Sequence, residues 1–298
     1  MPFTTLVSTD QLAQHLDDPD WVIFDCRFTL TNTEAGRSAY QQGHIPGSRY
    51  VYVDDDMSSP VTPTSGRHPL PDIKIFCEKL SRWGVDGSKQ VVVYDDSFGS
   101  MAVRMWWLLR WLGHDNVALL DGNWPKWVKQ KLPVTTKLPI MTPAHFVANV
   151  RDELLADTVE VDFARRERCS VLIDARPEQR FSGEREPLDT VAGHIPGAIN
   201  WVYEENLDFD GTYLSAEELK EAYLKLMHGL KPSQVIHTCG SGVTACHNML
   251  AMEIAGLHGS KLYAGSWSEW ITDPKRAVAT GEGHEHRAHL TTEALNCA

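Results

Sequence analysis

Paired cysteines are missing from this chain. Its six cysteines, Cys26, Cys77, Cys169, Cys239, Cys246 and Cys297, form no Cys-x-x-Cys pair and no dense framework. That argues against a structural zinc site and a disulfide scaffold, and suits a reducing compartment. Basic charge is also in short supply: 28 Lys and Arg face 40 Asp and Glu, a net charge of −12. A broad nucleic-acid-binding surface is therefore not expected, although a locally positive cleft is compatible with that balance. No run is long and apolar enough to span a membrane. The opening Met1-Pro2-Phe3-Thr4-Thr5 lacks the charged and apolar regions of a signal peptide. The expectation is a cytoplasmic protein with no nucleic-acid or membrane partner. At 298 residues there is room for two cores of ordinary size.

What is present is a duplication. Ile23-Phe24-Asp25-Cys26-Arg27 recurs as Leu172-Ile173-Asp174-Ala175-Arg176, and Gly43-His44-Ile45-Pro46-Gly47 recurs as Gly193-His194-Ile195-Pro196-Gly197. Val91-Val92-Val93-Tyr94-Asp95 matches Val235-Ile236-His237-Thr238-Cys239, and Trp124-Pro125-Lys126-Trp127 matches Trp267-Ser268-Glu269-Trp270. All four pairs keep their order, 150 residues apart at His44 and His194 and 143 apart at Trp124 and Trp267. A period this long means duplicated domains, since solenoid units run to roughly 20–50 residues. Each half alternates strands with helices, which predicts an α/β fold: two tandem domains, each a mainly parallel sheet with helices on both faces. Helix starts are legible at Ser8, before Leu12, and at Ser215 with Glu218, a capping box. Met101 to Leu112 reads as an apolar helix whose Trp106, Trp107 and Trp111 serve packing. Pro133, Pro139 and Pro143 mark a linker. The expected division is a first domain at 1–135, a linker at 136–156, and a second domain at 157–298 ending in a short polar tail.

Cys239 carries the chemistry. It ends the apolar run Val235-Ile236-His237-Thr238 and opens Gly240-Ser241-Gly242-Val243-Thr244-Ala245, with a helix expected from Val243 to about Gly256. Glycines let such a loop curl without Cβ clashes. The curl turns backbone N–H groups towards one point at the helix N-terminus, a place that favours negative charge and hence a thiolate. A buried core cysteine is the bland alternative, made less attractive by the glycines and the helix start. The equivalent position in the first half is Asp95, followed by Asp96-Ser97-Phe98-Gly99-Ser100. A carboxylate cannot do thiol chemistry, and this loop reads as lacking the glycines and helix-start geometry of its counterpart. One half is expected to be active and one silent.

These motifs resemble the two-domain rhodanese-type sulfurtransferases, over nearly the whole chain from about Leu6 to Asp273. The resemblance implies a cysteine that takes a sulfane sulfur from a small-molecule donor, holds it as a persulfide, and passes it to cyanide or to a thiol acceptor such as thioredoxin. It implies no metal and no organic cofactor. The Gly-Ser-Gly loop looks like the 3-mercaptopyruvate branch, whereas the thiosulfate branch places basic residues after the cysteine; a thiosulfate:cyanide sulfurtransferase is the alternative within the family. The implied catalytic residues are Cys239, Ser241, His68 in Arg67-His68-Pro69-Leu70-Pro71, and Asp54. In that branch the histidine joins an acid and the loop serine in a proton relay, and Asp55 or Asp56 could stand in for Asp54. Gly240, Gly242, Val243 and Thr244 would bind substrate through their amides. Arg180 would grip the donor's carboxylate with its planar fork. A second arginine normally follows a Glu-Pro pair, but Glu186-Pro187 is followed here by Leu188. Arg185 is the nearest arginine, and whether it fills the gap is open.

Other residues read as structural. His44 and His194 occur in both halves, with and without the cysteine, so a fold role is expected; the same holds for Arg27 and Arg176 with nearby carboxylates. Cys246, two helical turns after Cys239, reads as core. His284, His286 and His289 have metal-like spacing but no helix or strand pattern to present them, so they read as a solvated tail. Two other classes compete with the sulfurtransferase. A cysteine phosphatase needs an arginine six residues after the cysteine, and Ala245 stands there. A non-catalytic binding module would fit the Asp95 half alone but leaves the intact Cys239 loop unexplained.

Overall fold

The computed structural model describes residues 2–282; the tail histidines and Cys297 lie outside the described residues. The chain forms two compact units. Among the described residues, one comprises residues 2–60, Leu70–Arg151 and Leu207–Tyr213; the other comprises Val61–Pro69, Asp152–Asn206 and residues 214–282. Val61–Pro69, early in the sequence, thus belongs to the second unit, and this short segment carries Arg67 and His68.

The first unit holds β1 (Leu6–Val7), β2 (Trp21–Asp25), β3 (Arg49–Tyr50), β4 (Gln90–Tyr94) and β5 (Val117–Leu120). They form an all-parallel sheet in the order β1-β5-β4-β2-β3. The second unit holds β6 (Val171–Asp174), β7 (Ala198–Asn200), β8 (Val235–Thr238) and β9 (Lys261–Leu262), parallel in the order β7-β6-β8-β9. Every residue of β4, β5, β6 and β8 is buried. That is the signature of parallel strands covered on both faces, and it explains why they read as continuous apolar runs. The first core gathers Val7, Ile23, Val92, Tyr94, Leu120 and Trp127; the second gathers Leu172, Phe181, Ile195, Ile236, Trp267 and Trp270.

Ten helices connect and cover the strands: α1 (Thr9–Ala13), α2 (Ala35–Gln42), α3 (Ile73–Arg82), α4 (Ala102–Trp111), α5 (Asn123–Lys129), α6 (Thr158–Glu167), α7 (Glu178–Ser182), α8 (Ala216–Met227), α9 (Ala245–Ile254) and α10 (Ser266–Trp270) among the described residues. Ser8 and Ser215 both form complete capping boxes, with Gln11 and Glu218. Trp106, Trp107 and Trp111 of α4 are all buried. No helix among the described residues is long and apolar enough to cross a membrane.

The repeated motifs meet in space, which is why they recur together. In the first unit Arg27 donates from Nε and Nη2 to Asp25 and from Nη2 to the Gly43 carbonyl at 2.7 Å, and its guanidinium lies 4.5 Å from the Trp124 ring centroid. In the second, Arg176 makes the same bonds to Asp174 and to the Gly193 carbonyl at 2.8 Å, with Trp267 at 5.0 Å. A buried guanidinium costs several kcal/mol to desolvate unless its donors are met, and this frame meets most of them. The histidines are structural too. His44 Nδ1 donates to the Tyr40 carbonyl at 2.7 Å, and His194 Nδ1 donates to the Phe181 carbonyl at 2.8 Å. Burial lowers the pKa of His194, in keeping with a neutral ring.

β8, the strand that delivers Cys239, contains a second kind of histidine. His237 is wholly buried, its Nδ1 has no partner among the described residues, and burial pushes its pKa from 6.5 down to about 3. Between those values the unfolded chain binds a proton that the folded chain does not. Stability therefore falls as pH falls through that window, by at most ~1.4 kcal/mol per pH unit from this group. We expect His237→Gln to flatten the acid side of the Tm–pH profile between pH 6.5 and about 3; an unchanged slope would show that His237 does not set it.

Candidate active site

The turn after β8 is pinned by the N-terminus of α10. The Cys239 N–H donates to Ser266 Oγ at 3.1 Å, and the Trp267 and Ser268 amides donate to the Cys239 and Gly240 carbonyls at 3.0 and 2.9 Å. Ser266 in turn donates to the Tyr263 carbonyl at 2.8 Å. The chain then curls through Gly242, at φ +74, into α9, whose N-cap is Thr244. The amides of Gly240, Ser241, Val243 and Thr244 find no acceptor among the described residues. Amides in this state beside a buried sulfur can stabilise negative charge on it. Cys239 itself is buried, within electrostatic reach of Arg176. Cys246 is also buried, its thiol directed to the Gly242 carbonyl at 3.5 Å. Cys26 is a core thiol that burial pushes well above the ordinary range.

The first unit builds the same turn around a different group. The Asp95 N–H donates to Asn123 Oδ1, and the Trp124 amide donates to the Asp95 carbonyl. The Asp95 carboxylate accepts four amide hydrogens: Ser97 and Gly99 on Oδ1, Met101 and Ala102 on Oδ2, all at 2.8–2.9 Å. Burial pushes its pKa up while these amides pull against the shift. The expectation that this loop lacks helix-start geometry is therefore wrong. The amide cradle exists, directly before α4, and a carboxylate fills it. Asp96-Ser97-Phe98-Gly99 achieves the curl with Phe98 at φ +60 and Gly99 at φ +89, a left-handed conformation that costs a non-glycine residue roughly 1–2 kcal/mol.

Around Cys239 the second unit gathers His68, Ser241 and Arg180, and two residues that sequence reasoning missed. His68 Nδ1 lies 2.7 Å from Ser241 Oγ, both side chains buried. Arg180 donates from Nε to both Glu186 oxygens at 3.0 and 3.1 Å, and from Nη2 to Asp189 at 2.9 Å. Arg67 Nη1 pairs with the other Asp189 oxygen. Burial holds the Asp189 carboxyl above the usual carboxylate range, with the two arginines pulling it back. A Cβ placed on Gly240 would lie 2.7 Å from Arg67 Nη2 and 3.3 Å from Arg180 Nη1, so both guanidiniums stand over the residue next to Cys239. Arg67 and Asp189 were not expected there. The signal was present only for Arg67, adjacent to His68 in the sequence. Arg185 is exposed and has no side-chain partner among the described residues; Leu188 is exposed as well. In the first unit, the Asp56 carboxylate is engaged by the Tyr52 amide at 2.9 Å and by Lys79 at 2.7 Å, and Asp55 is exposed.

A strand, a curled loop and a helix N-terminus, built twice on parallel sheets and headed once by Asp95 and once by Cys239, define a two-domain α/β protein with one cysteine-bearing cradle. Comparison with known proteins gives the family. The Rhodanese-like domain model matches residues 8–130 and 160–273, and the chain belongs to the rhodanese family. It is 44% identical over 284 residues to a probable 3-mercaptopyruvate sulfurtransferase of Pseudomonas aeruginosa, spanning 95% of this chain and all of that one. It is 36% identical over 280 residues to a putative thiosulfate sulfurtransferase of Mycobacterium tuberculosis, spanning 93% and 97%. Among solved structures, SseA from Escherichia coli, described as a 3-mercaptopyruvate sulfotransferase, superposes with a TM-score of 0.77 at 32% identity, covering 89% of this chain and all of that one.

The two loop glycines should behave differently when given a methyl group. At Gly242 it would sit 2.2 Å from the Ala264 carbonyl oxygen on a positive-φ backbone, and backbone cannot step aside. At Gly240 it would meet the guanidinium tips of Arg67 and Arg180, side-chain ends that can shift by a few tenths of an ångström where a carbonyl cannot. Gly242→Ala should lower unfolding free energy by roughly 2 kcal/mol or more, measured by urea denaturation, while Gly240→Ala should leave it nearly unchanged. Equal losses would contradict this picture of the loop.

Proposed function

We propose that the chain is a sulfurtransferase that moves a sulfane sulfur from 3-mercaptopyruvate to a thiol or cyanide acceptor through a persulfide on Cys239. The observation that carries the reading is the 2.7 Å hydrogen bond between His68 and Ser241, two residues from Cys239. A donor whose sulfur leaves carbon needs a proton delivered to that carbon, and a buried histidine–hydroxyl pair is equipped for this. Transfer from thiosulfate leaves sulfite and needs no such delivery.

In the proposed reaction the Cys239 thiolate attacks the donor sulfur. The new S–S bond forms as the carbon–sulfur bond breaks, and its electron pair passes into the enolate of pyruvate. Ser241, backed by His68, delivers the proton that completes pyruvate; Asp54 is proposed as the acid of this relay, Asp56 being already held by Lys79. The amides of Gly240, Ser241, Gly242, Val243 and Thr244 stabilise the thiolate and then the persulfide. Arg180 draws in the donor's carboxylate. An acceptor nucleophile, cyanide or a small protein thiol of the thioredoxin type, then takes the outer sulfur and restores the thiolate. No step calls for a metal or an organic cofactor. The intact cysteine loop, with the Arg180 guanidinium beside it, supports an enzyme on small anions rather than a non-catalytic binding module.

Steady-state kinetics with cyanide as acceptor test the reading. We expect a higher kcat/KM for 3-mercaptopyruvate than for thiosulfate. Ser241→Ala and His68→Gln should cut kcat with 3-mercaptopyruvate by about a hundredfold or more and affect thiosulfate turnover much less. A clear preference for thiosulfate, or equal losses with both donors, would overturn the assignment.

A further inference from the structure

We propose that Arg67 is the second carboxylate-binding arginine of this site, standing in for the one absent at Leu188; the inference rests on the keto-acid donor proposed above. The geometry singles out particular nitrogens. Glu186 occupies the Nε and Nη2 edge of Arg180, and Asp189 bridges Arg180 Nη2 and Arg67 Nη1. Arg180 Nη1 and Arg67 Nη2 have no acceptor among the described residues, and they are the two nitrogens nearest a Cβ placed on Gly240, with the committed Arg180 Nη2 just behind at 3.5 Å. The carboxylates thus hold the Nε and Nη2 edge of Arg180 and the Nη1 group of Arg67. They leave Arg180 Nη1 and Arg67 Nη2 beside the residue that follows the nucleophile, while Arg67 Nε is buried without a partner among the described residues. In 3-mercaptopyruvate the carboxylate carbon is three bonds from the sulfur. A donor whose sulfur meets Cys239 therefore carries its carboxylate close by, where a pair of guanidiniums can share its two oxygens.

Arg67 is positioned independently of the side-chain pairing. Its backbone N–H donates to Ser268 Oγ at 3.0 Å, in the same α10 turn that holds the Cys239 amide through Ser266. Gly66, the residue before it, packs so closely on the Gly265 carbonyl that a Cβ there would stand 2.6 Å from the oxygen. The side chain is about a quarter exposed, at 27%, so it is anchored at its base and open to a ligand at its tip. Arg185, nearer Leu188 in sequence, is exposed and has no carboxylate among the described residues to aim its guanidinium. Asp189 couples the two arginines, so an incoming carboxylate is met by a pair with one fixed geometry.

The test compares 3-mercaptopyruvate with 1-mercapto-2-propanone, the same α-mercapto ketone with a methyl group in place of the carboxylate, as donors to cyanide. Arg67→Ala should raise KM for the keto acid about ten- to a hundredfold with little change in kcat, and leave kcat/KM for the uncharged ketone within about twofold. Arg67→Lys, which keeps charge without the fork, should fall between. Leu188→Arg in the Arg67→Ala background should recover part of the loss, a result that a purely structural role would not give. An unchanged KM in Arg67→Ala, or equal losses with both donors, would overturn the assignment of Arg67 while leaving the donor intact. A wild-type enzyme with no preference for the keto acid over the uncharged ketone would overturn both.

Discussion

The chain depends on one backbone device, a strand that turns into a helix so tightly that several amide hydrogens have no carbonyl to meet. Left bare and buried, such groups are costly. They must find an anion. In the first unit the solution is internal: Asp95 places a carboxylate among four amides and closes the account permanently. In the second unit Cys239 heads the same turn, and the amides of Gly240, Ser241, Val243 and Thr244 have no acceptor among the described residues. The same geometry yields a structural knot in one case and a reactive cysteine in the other. The difference lies in whether the occupant is a fixed carboxylate or a sulfur able to gain and lose a second sulfur.

Charge around the second cradle is nearly balanced rather than simply positive. Arg67, Arg176 and Arg180 are matched by Asp174, Glu186 and Asp189. Arg176 is committed to the fold, since its bond to Gly193 ties the sheet to the Gly-His-Ile-Pro-Gly turn. Arg67 and Arg180 are only partly committed. Their carboxylate partners do not cancel them so much as aim them, fixing the rotamers of two long side chains whose disorder would otherwise weaken binding. A chain with net charge −12 can in this way present a local grip for an anion.

Much of this was legible in the sequence, because its signals are local or repeated. The apolar runs became β2, β6 and β8; Ser8 and Ser215 capped the helices they precede; and the presence of His44, His194, Arg27 and Arg176 in both halves marked them as structural, as their bonds to backbone carbonyls and carboxylates bear out. The Asp95 cradle was misread because loop curl was sought in glycine pairs, while Phe98 adopts positive φ without being glycine. Arg67 was passed over because its place is set by tertiary structure: its segment packs with residues some 200 positions later, as in the bond to Ser268. Proximity in sequence favoured Arg185, and proximity in sequence says little about where a loop arginine ends up.

The most direct test of the account is the intact mass of the protein after incubation with 3-mercaptopyruvate and removal of excess donor. The account predicts a gain of one sulfur atom per chain, mapped by peptide analysis to Cys239, absent from Cys239→Ser and reversed by cyanide. No gain, or a sulfur carried on Cys26, Cys77 or Cys246 instead, would contradict it.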